Sequence, residues 1–382
     1  MTITKLLEQT ITLHSLELYL INLPQVGAFK SSIGARKSRE ALIIKWIDAD
    51  GRVGYGECAC RPDPYYSVEY RDGAADVIQR FVAPFLKKEQ SYGDILKLLK
   101  KVRGWNFTKG ALEAAVFQIA RQQGDFDMTE MIDVDPIEKI PVGISLGIYS
   151  DKVECYEAVQ QAIADGFQRL KFKIAPNVDT AVFDHINPLL FDNNIHTGFD
   201  ANGSFQEKDL DGFAYFANTY QTVMEQPFPP DRFDVLLEAK RRFPTLQICA
   251  DEEVKNLGDV MKLHKLNAID ELNLKVGRVG GITNSIEILN YCNRQNIPCW
   301  IGGMFETGIG RLVNLEFASF LPNAKAHDLS PSARYFIEDI ISPEVTMNKG
   351  FVEMETLKEC AVVGELLKKY TEEVRVMKVD QG

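Results

Sequence analysis

The chain has 382 residues, a net charge of −11 and no run rich in lysine or arginine, which argues against a nucleic-acid-binding protein. Its longest apolar runs are only as long as strands, so no membrane span is expected. The N-terminus lacks the apolar block of a signal peptide, and the seven cysteines include no second pair at zinc spacing. We therefore expect reduced thiols in a cytoplasmic protein.

The first part of the chain, residues 1–125, is predicted to form an α+β domain. Its predicted strands and helices are Leu16–Leu23, Ala41–Ile47, Val53–Cys58, Gly73–Phe85, Tyr92–Val102 and Lys109–Gln123. Two loops are unusual. Residues 24–39 are long for a hairpin connection and have Phe29 near their centre, and residues 61–66 combine two prolines with Tyr65 and Tyr66. Loops of this kind are typical of functional sites.

A repeat of strands and helices is predicted for residues 136–335. Charged side chains end or directly follow five successive apolar runs, at steps of 24 to 27 residues: Lys173, Asp200, Glu225, Asp251 and Lys275. A strand, a helix and two loops take about 25–30 residues, so the period indicates βα units. Continuing it adds strand ends at Ser145, Gly302 and Asp328. Eight parallel strands close a barrel, whose active site lies at the carboxyl ends of the strands.

The fold class predicted from this pattern is α/β, a modified TIM barrel of the form (β/α)7β. Residues 336–382 return to short extended runs and a final helix at Cys360–Tyr370. We expect this tail to rejoin the N-terminal part, so that both together build an α+β capping domain.

Three carboxylates at adjacent strand ends, Asp200, Glu225 and Asp251, would repel one another. Two like charges 4 Å apart cost about 4 kcal/mol at an effective dielectric constant of 20, so a cation is needed. Hard oxygen ligands without His or Cys favour Mg²⁺, with Mn²⁺ as the alternative. Salt bridges to basic residues without a metal are the competing interpretation. Asn202 and Glu252 would lie behind the ligands and orient them.

Two lysines are predicted to face each other across the barrel mouth, Lys173 on the second strand and Lys275 on the sixth. With a metal-bound carboxylate substrate between them, they suit the removal of a proton α to that carboxylate. Enzymes that enolise a substrate with a lysine base and magnesium follow this pattern. A solvent-exposed strand-end lysine and a Schiff base at Lys275 are the alternatives. Gly302 and Gly303 would let a ligand approach the backbone, or would only allow close packing.

These residues carry a specific resemblance that covers almost the whole chain. Its motifs are Gly54-Tyr-Gly-Glu-Cys58, Lys171-Phe-Lys173, Asp200-Ala-Asn202, Glu225-Gln-Pro227, Asp251-Glu252, Lys275-Val-Gly-Arg278 and Gly302-Gly-Met-Phe-Glu-Thr307. The chain resembles the enolase superfamily in its muconate-lactonising-enzyme group, and within it the o-succinylbenzoate synthase / N-acylamino acid racemase family.

The resemblance implies magnesium at the three carboxylates and acid–base roles for Lys173 and Lys275, with a small carboxylate as substrate. The implied reactions are a dehydration on the way to menaquinone and the racemisation of N-acylamino acids, for which Arg278 is a marker. Substrate contacts are expected at Phe29, Ser32, Tyr65, Ser145, Lys171, Asn202, Gly303 and Met304. A homo-oligomer is compatible with the sequence.

The sequence departs from the family pattern at two places. Glu253 follows Asp251-Glu252 where a serine is usual, and His327 precedes Asp328 where a glycine is commoner. A second aspartate two residues after Asp328, typical of dipeptide epimerases, is missing. The choice between synthase and racemase stays open on the sequence, as does an inactive barrel that only binds a carboxylate or metal.

Overall fold

A computed structural model describes residues 3–31, 34–124, 128–220 and 223–378, with the side chains of residues 28–31 and 34–36 left out. Within these ranges no helix is both long and apolar enough to cross a membrane. The N-terminal part contains the following elements: α1 Ile3–Glu8, β1 Thr10–Thr12, β2 Ser15–Ser31, β3 Gly34–Ile47, β4 Val53–Cys58, α2 Arg71–Val77, β5 Glu89–Ser91, α3 Tyr92–Lys101 and α4 Asn106–Gln123.

The second part of the chain alternates strands with helices. Its elements are β6 Lys139–Pro141, β7 Ile144–Leu146, α5 Lys152–Ala164, β8 Arg169–Lys173, α6 Ala181–Asp192, β9 His196–Asp200, α7 Phe213–Thr219, β10 Val223–Glu225, α8 Phe233–Arg242, β11 Gln247–Ala250, α9 Leu257–Lys265, β12 Glu271–Leu274, α10 Ile282–Gln295, β13 Cys299–Ile301 and α11 Gly308–Ser319.

The tail consists of short elements: β14 Ile341–Ser342, β15 Phe351–Glu353, α12 Met354–Leu357, β16 Ala361–Val362, α13 Gly364–Lys369 and β17 Thr371–Lys378. Strand β17 pairs antiparallel with β2, which gives the N-terminal sheet the order β17-β2-β3-β4. The predicted return of the tail to the capping sheet is therefore observed. Another part of the tail, β15, pairs instead with β6 below the barrel.

Seven parallel strands form the barrel sheet, in the order β13-β12-β11-β10-β9-β8-β7. The eighth strand is reduced to two isolated pairings, Val142 with His327 and Gly302 with Asp328, which lie between β13 and the start of β7. The predicted (β/α)7β fold is thus confirmed, with a minimal eighth strand. The predicted domain bounds, 1–125, 136–335 and 336–382, stay predictions.

Strand β8 illustrates how alternation builds the site. Leu170 and Phe172 are buried, and the Phe172 ring contacts Phe183 of α6 at 5.6 Å between centroids, so this face packs against the outer helices. Lys171 and Lys173 lie on the opposite face, because successive side chains of a strand point to opposite sides. That face is the barrel interior, where carboxylates from the neighbouring strands meet them.

Two predicted segments differ from the structure. Residues 24–39 were expected to form a loop, but β2 and β3 extend as a long hairpin to Ser31 and Gly34, with an irregularity between Pro24 and Phe29. The strand predicted to end at Ser145 is divided in two, since β6 and β7 are separate and pair with different partners. The hairpin pairs residues that are close in the chain, but their glycines and serines favoured a loop. The separate strand β6 was not predictable from the pattern, because its partner β15 lies far along the chain.

Candidate active site

The candidate site lies where the parallel strands end. Lys173, Asp200 and Glu225 are the last residues of β8, β9 and β10. Asp251 and Lys275 directly follow β11 and β12. In the sheet register Asp200 is level with both Lys173 and Glu225, so these side chains emerge at one height and on one face. The five positions predicted from the spacing therefore come together at one end of the barrel.

Lys171 lies at the centre of a ring of carboxylates. Its Nζ is 2.5 Å from Asp328, 2.9 Å from Glu225 and 3.2 Å from Asp200, and its side chain is only 5% exposed. Burial acts to lower the pKa of Lys171, but these three carboxylates outweigh it and raise the pKa well above its usual value. Lys171 is therefore a fixed positive charge below the site. Ser145 adds a hydrogen bond to Asp328 at 3.1 Å.

Lys173 is held from one side by two oxygen acceptors. Its Nζ donates to Asp200 Oδ2 at 2.6 Å and to Asn202 Oδ1 at 2.5 Å. Asn202 adopts a φ of +45°, a left-handed conformation that asparagine tolerates better than most residues. The Asn202 amide also donates to Glu252 at 2.9 Å, which fixes the orientation of the amide. The amine of Lys173 is thus aimed by its neighbours.

Lys275 is held on the opposite side of the barrel. Its Nζ lies 2.8 Å from Asp251 Oδ2 and 3.3 Å from the phenol oxygen of Tyr66. Arg278 contacts the other oxygen of Asp251 at 2.6 Å and also donates to the carbonyl of Val254 at 3.2 Å. The fully buried carboxylate of Asp251 therefore carries two cations. Since β8 and β12 are four strands apart in an eight-position barrel, the two amines face each other.

The three predicted metal ligands differ in their protonation. Burial favours neutral Asp200, but Lys173 and Lys171 lower its pKa to about 2. Burial and the charge of Asp200 raise the pKa of Glu225 to about 8. Burial favours neutral Asp251 as well, yet Arg278 and Lys275 hold its pKa below the usual range. The neighbouring negative charge that the sequence predicted is therefore present, and it adds to burial in raising the pKa of Glu225.

Basic groups compensate the carboxylates in this arrangement. In the part of the chain that the structure describes, no three His, Cys, Asp or Glu side chains are arranged to hold a metal ion. The donor set nevertheless fits a hard divalent cation, because it offers buried carboxylate oxygens alone. Glu225 Oε2 and Asp251 Oδ1 are buried and lack a partner in hydrogen-bonding geometry, although each lies near a cation. The metal site itself stays a prediction.

A cavity of about 150 Å³ opens above the carboxylates. The predicted residues that line it are Ser145, Lys171, Lys173, Asp200, Asn202, Lys275, Gly303 and Met304. Glu225 and Asp251 lie deeper, at 2% and 0% exposure. Gly302 is required for packing, since a Cβ there would lie 2.1 Å from Asn273 Oδ1, whereas Gly303 faces the cavity.

The predicted contacts from the capping domain differ in their exposure. Tyr65 is 74% exposed and does not line the cavity, whereas Tyr66 does. Of the two rings, Tyr66 faces the cavity and Tyr65 faces outward, and the substrate contact at Tyr65 stays a prediction. Ser32 and the side chain of Phe29 lie outside what the structure describes, although the backbone of Phe29 pairs with Arg36 in the hairpin.

Sequence reasoning missed two residues of the site. Asn273 donates to Glu225 at 2.8 Å and is fully buried. It precedes Lys275 by two positions, so strand alternation could have placed it on the same inward face. Tyr66 contacts both Lys275 and Arg278, at 3.3 and 3.4 Å. Only the presence of an aromatic pair in the loop indicated it, and the sequence does not reveal which ring turns inward.

Comparison with known proteins identifies the family. Residues 154–358 match the family model described as enolase C-terminal domain-like. The o-succinylbenzoate synthase of Listeria innocua is 30% identical over 364 residues, which cover 94% of this chain and 96% of that protein. The o-succinylbenzoate synthase of Enterococcus faecalis is 32% identical, with 88% and 92% covered. The N-succinylamino acid racemase of an Amycolatopsis species is also 32% identical, with 87% and 90% covered.

Solved structures agree. A member of the enolase superfamily from Listeria innocua superposes with a TM-score of 0.88 at 29% identity, covering 96% of this chain and 99% of the other. The muconate lactonizing enzyme of Pseudomonas fluorescens, at 21% identity and a TM-score of 0.85, shares the fold. Enolase superfamily members are enzymes that generally use a divalent metal. The chain therefore belongs to the enolase superfamily, in its muconate-lactonising-enzyme group, and is a member of the o-succinylbenzoate synthase / N-succinylamino acid racemase family.

Proposed function

We propose that this chain is an o-succinylbenzoate synthase, which dehydrates 2-succinyl-6-hydroxy-2,4-cyclohexadiene-1-carboxylate in menaquinone biosynthesis. The observation that carries the proposal is that Lys173 and Lys275 line one cavity from opposite sides, each held on a different carboxylate. Relatives described as this synthase match the chain over 94% and 88% of its length.

In the proposed reaction Lys173 does both proton transfers on one face of the ring. Its neutral amine takes the proton α to the carboxylate, and Asp200 and Asn202 fix the direction of that amine. The resulting ammonium then protonates the departing hydroxyl, so that the C–O bond breaks and water leaves. The proton taken from carbon thus ends in the water, and Lys173 returns to its starting state.

Lys275 acts as a cation on the other face. Its ammonium, held by Asp251 at 2.8 Å, lies where it can offset the negative charge that develops on the substrate when the proton is removed. A divalent cation, Mg²⁺ or Mn²⁺, bound by Asp200, Glu225 and Asp251 would supply further positive charge beside the substrate carboxylate. Lys171 pairs with two of these carboxylates, Asp200 and Glu225, and would offset their repulsion when no metal is bound.

The proposal is tested by measuring dehydration in magnesium-saturated protein. Lys173→Ala should abolish turnover. Lys173→Arg should abolish it too, although the arginine keeps a positive charge beside the Asp200 carboxylate. The matched control is Lys240→Ala. Lys240 forms an ion pair with Asp270, with 2.6 Å between Nζ and Oδ2, and neither residue lines the cavity. Lys173→Ala turnover within about tenfold of wild type, which is about 1.4 kcal/mol, would remove Lys173 from the mechanism.

A second activity is favoured by the same pair of amines. In N-succinylamino acid racemisation, one lysine would remove the α-proton and the opposite lysine would return a proton to the other face. A relative described as such a racemase is 32% identical over 340 residues. Arg278 would support this activity, since it shares Asp251 with Lys275. Assays of dehydration and racemisation side by side decide which activity dominates.

Two other interpretations are open to direct tests. A Schiff base at Lys275 would be trapped by borohydride in the presence of a carbonyl substrate, since only an imine yields a stable lysine adduct. A barrel that only binds a carboxylate would show neither dehydration nor racemisation in magnesium-saturated protein. Either result would contradict the proposed synthase.

A further inference from the structure

Tyr66 connects the capping domain to the amine of Lys275. It lies in the segment between β4 and α2, where Arg61 pairs with Tyr70 across the base of the loop. The phenol oxygen of Tyr66 is 3.3 Å from Lys275 Nζ and 3.4 Å from Arg278. The Tyr66 ring centroid is 5.7 Å from the same Nζ. No other described residue of the capping domain has a recorded hydrogen bond to Lys275.

The direction of these hydrogen bonds follows from the chemistry of the groups. An ammonium and a guanidinium can only donate, so the phenol oxygen must accept from Lys275 and Arg278. Asp251 accepts a hydrogen bond from Lys275 at 2.8 Å, and Arg278 forms an ion pair with its other oxygen at 2.6 Å. Lys275 Nζ is therefore bound on two sides, by Asp251 from the barrel and by Tyr66 from the capping loop.

This arrangement limits where the amine can point. An ammonium has three hydrogens, and two of them are committed to Asp251 and Tyr66. The remaining direction faces the cavity, which both Lys275 and Tyr66 line. Without the Tyr66 oxygen, the flexible lysine stem would keep only one anchor. Lys173 does not depend on Tyr66, because its own anchors are Asp200 and Asn202.

We propose that Tyr66 is a positioning residue for Lys275, and that it acts on one face of the substrate only. The inference rests on the proposed function, since it assigns Tyr66 to the half of the reaction that Lys275 serves. In dehydration Tyr66 aims the cation that offsets the developing negative charge. In racemisation it aims the amine that exchanges a proton with one enantiomer.

The test compares wild type with Tyr66→Phe in magnesium-saturated protein. Phenylalanine keeps the ring and removes only the oxygen. The matched control is Tyr70→Phe. Tyr70 ends the same loop, its ring centroid lies 6.2 Å from that of Trp105, and it does not line the cavity. We expect the kcat of dehydration to fall about tenfold in Tyr66→Phe, with KM changed by no more than about twofold. Tyr70→Phe should behave as wild type.

A second readout separates the two faces of the substrate. Each enantiomer of an N-succinylamino acid is incubated in D₂O, and loss of the α-proton signal is followed by NMR. Tyr66→Phe should slow exchange of one enantiomer by about tenfold and leave the other within about twofold. Lys275→Ala should identify the affected enantiomer as the one that faces Lys275.

Three outcomes would overturn the inference. An unchanged kcat together with unchanged exchange would show that Lys275 does not need Tyr66. Equal slowing of both enantiomers would indicate a general effect on the site, and a raised KM at constant kcat would indicate a substrate contact. Wild-type protein that neither dehydrates nor exchanges would instead overturn the proposed function, and this inference with it.

Discussion

The carboxylate of Glu57, at the end of β4, accepts a hydrogen bond from the hydroxyl of Thr307 at 2.7 Å. It also accepts from the backbone N–H groups of Thr307 and Gly310, both at 3.1 Å. These groups form the first turn of α11, where unpaired N–H groups favour an anion. Glu57 therefore joins the capping sheet to α11, the barrel helix that follows Gly302 and Gly303.

Glu57 makes the stability of the protein depend on pH. Burial raises its pKa from 4.5 to about 7, although Arg39 partly opposes this. A group with a raised pKa in the folded state binds its proton more tightly there, so its contribution is present below pH 4.5 and is lost as pH rises through about 7. The pKa shift of Glu57 corresponds to a decrease of about 3 kcal/mol in the free energy of unfolding across this pH range.

Glu57→Gln should remove this contribution to the pH dependence. We expect the free energy of unfolding, from urea titrations at pH 5 and pH 8, to fall with pH by about 3 kcal/mol more in wild type than in the variant. Glu365→Gln is the control, because Glu365 is exposed on α13. Equal pH dependence in wild type and Glu57→Gln would contradict the assignment.

A cation–π pair forms the floor of the barrel. The Arg169 guanidinium lies 3.9 Å from the Trp300 ring centroid, and Lys171 Nζ lies 5.1 Å from the same ring. Both Arg169 and Trp300 are almost fully buried. Desolvated pairs of this kind contribute about 2 kcal/mol or more, so Trp300→Leu should lower the free energy of unfolding by at least that amount.

Trp300→Phe is the matched variant for this pair, since it keeps an aromatic face below Arg169. It should lose clearly less stability than Trp300→Leu in urea unfolding. Equal losses in the two variants would show that side-chain volume, and not the aromatic face, supports the guanidinium.

The sequence predicted the barrel and its charged positions well because both depend on a local period. Lys173, Asp200 and Glu225 end their strands at the predicted places, and each side chain faces inward by simple alternation. The eighth strand was harder to predict, because His327 and Asp328 form only single pairings and not a strand.

Several side-chain contacts between distant segments were not predictable. The inward turn of Tyr66 is set by Lys275 and Arg278, more than 200 positions away in the chain. The capping of α4 by Glu69, which accepts from Phe107 and Thr108, likewise joins separate segments. Periodicity carries no information about such contacts, and a lone acidic residue in a loop is usually just solvated.

Lys171 provides a test of the predicted metal site. It forms ion pairs with Asp200, Glu225 and Asp328, and it is shared by all three carboxylates, whereas Lys173 pairs with Asp200. Removing one partner of a buried ion pair costs about 3–5 kcal/mol, because the other charges are left uncompensated. Lys171→Met should therefore lower the melting temperature strongly in metal-free buffer.

Added Mg²⁺ should recover part of this loss, since a divalent cation among the carboxylates would replace the missing charge. In wild type, Mg²⁺ at about 100 times its Kd should add about 2.7 kcal/mol to the free energy of unfolding. The gain in melting temperature on adding Mg²⁺ should be larger in Lys171→Met than in wild type. The control Lys240→Met removes an ion pair with Asp270 that lies away from the cavity. Its melting temperature should rise with Mg²⁺ by as much as that of wild type. Melting temperatures that do not respond to Mg²⁺ in any of the three proteins would contradict a metal site formed by Asp200, Glu225 and Asp251.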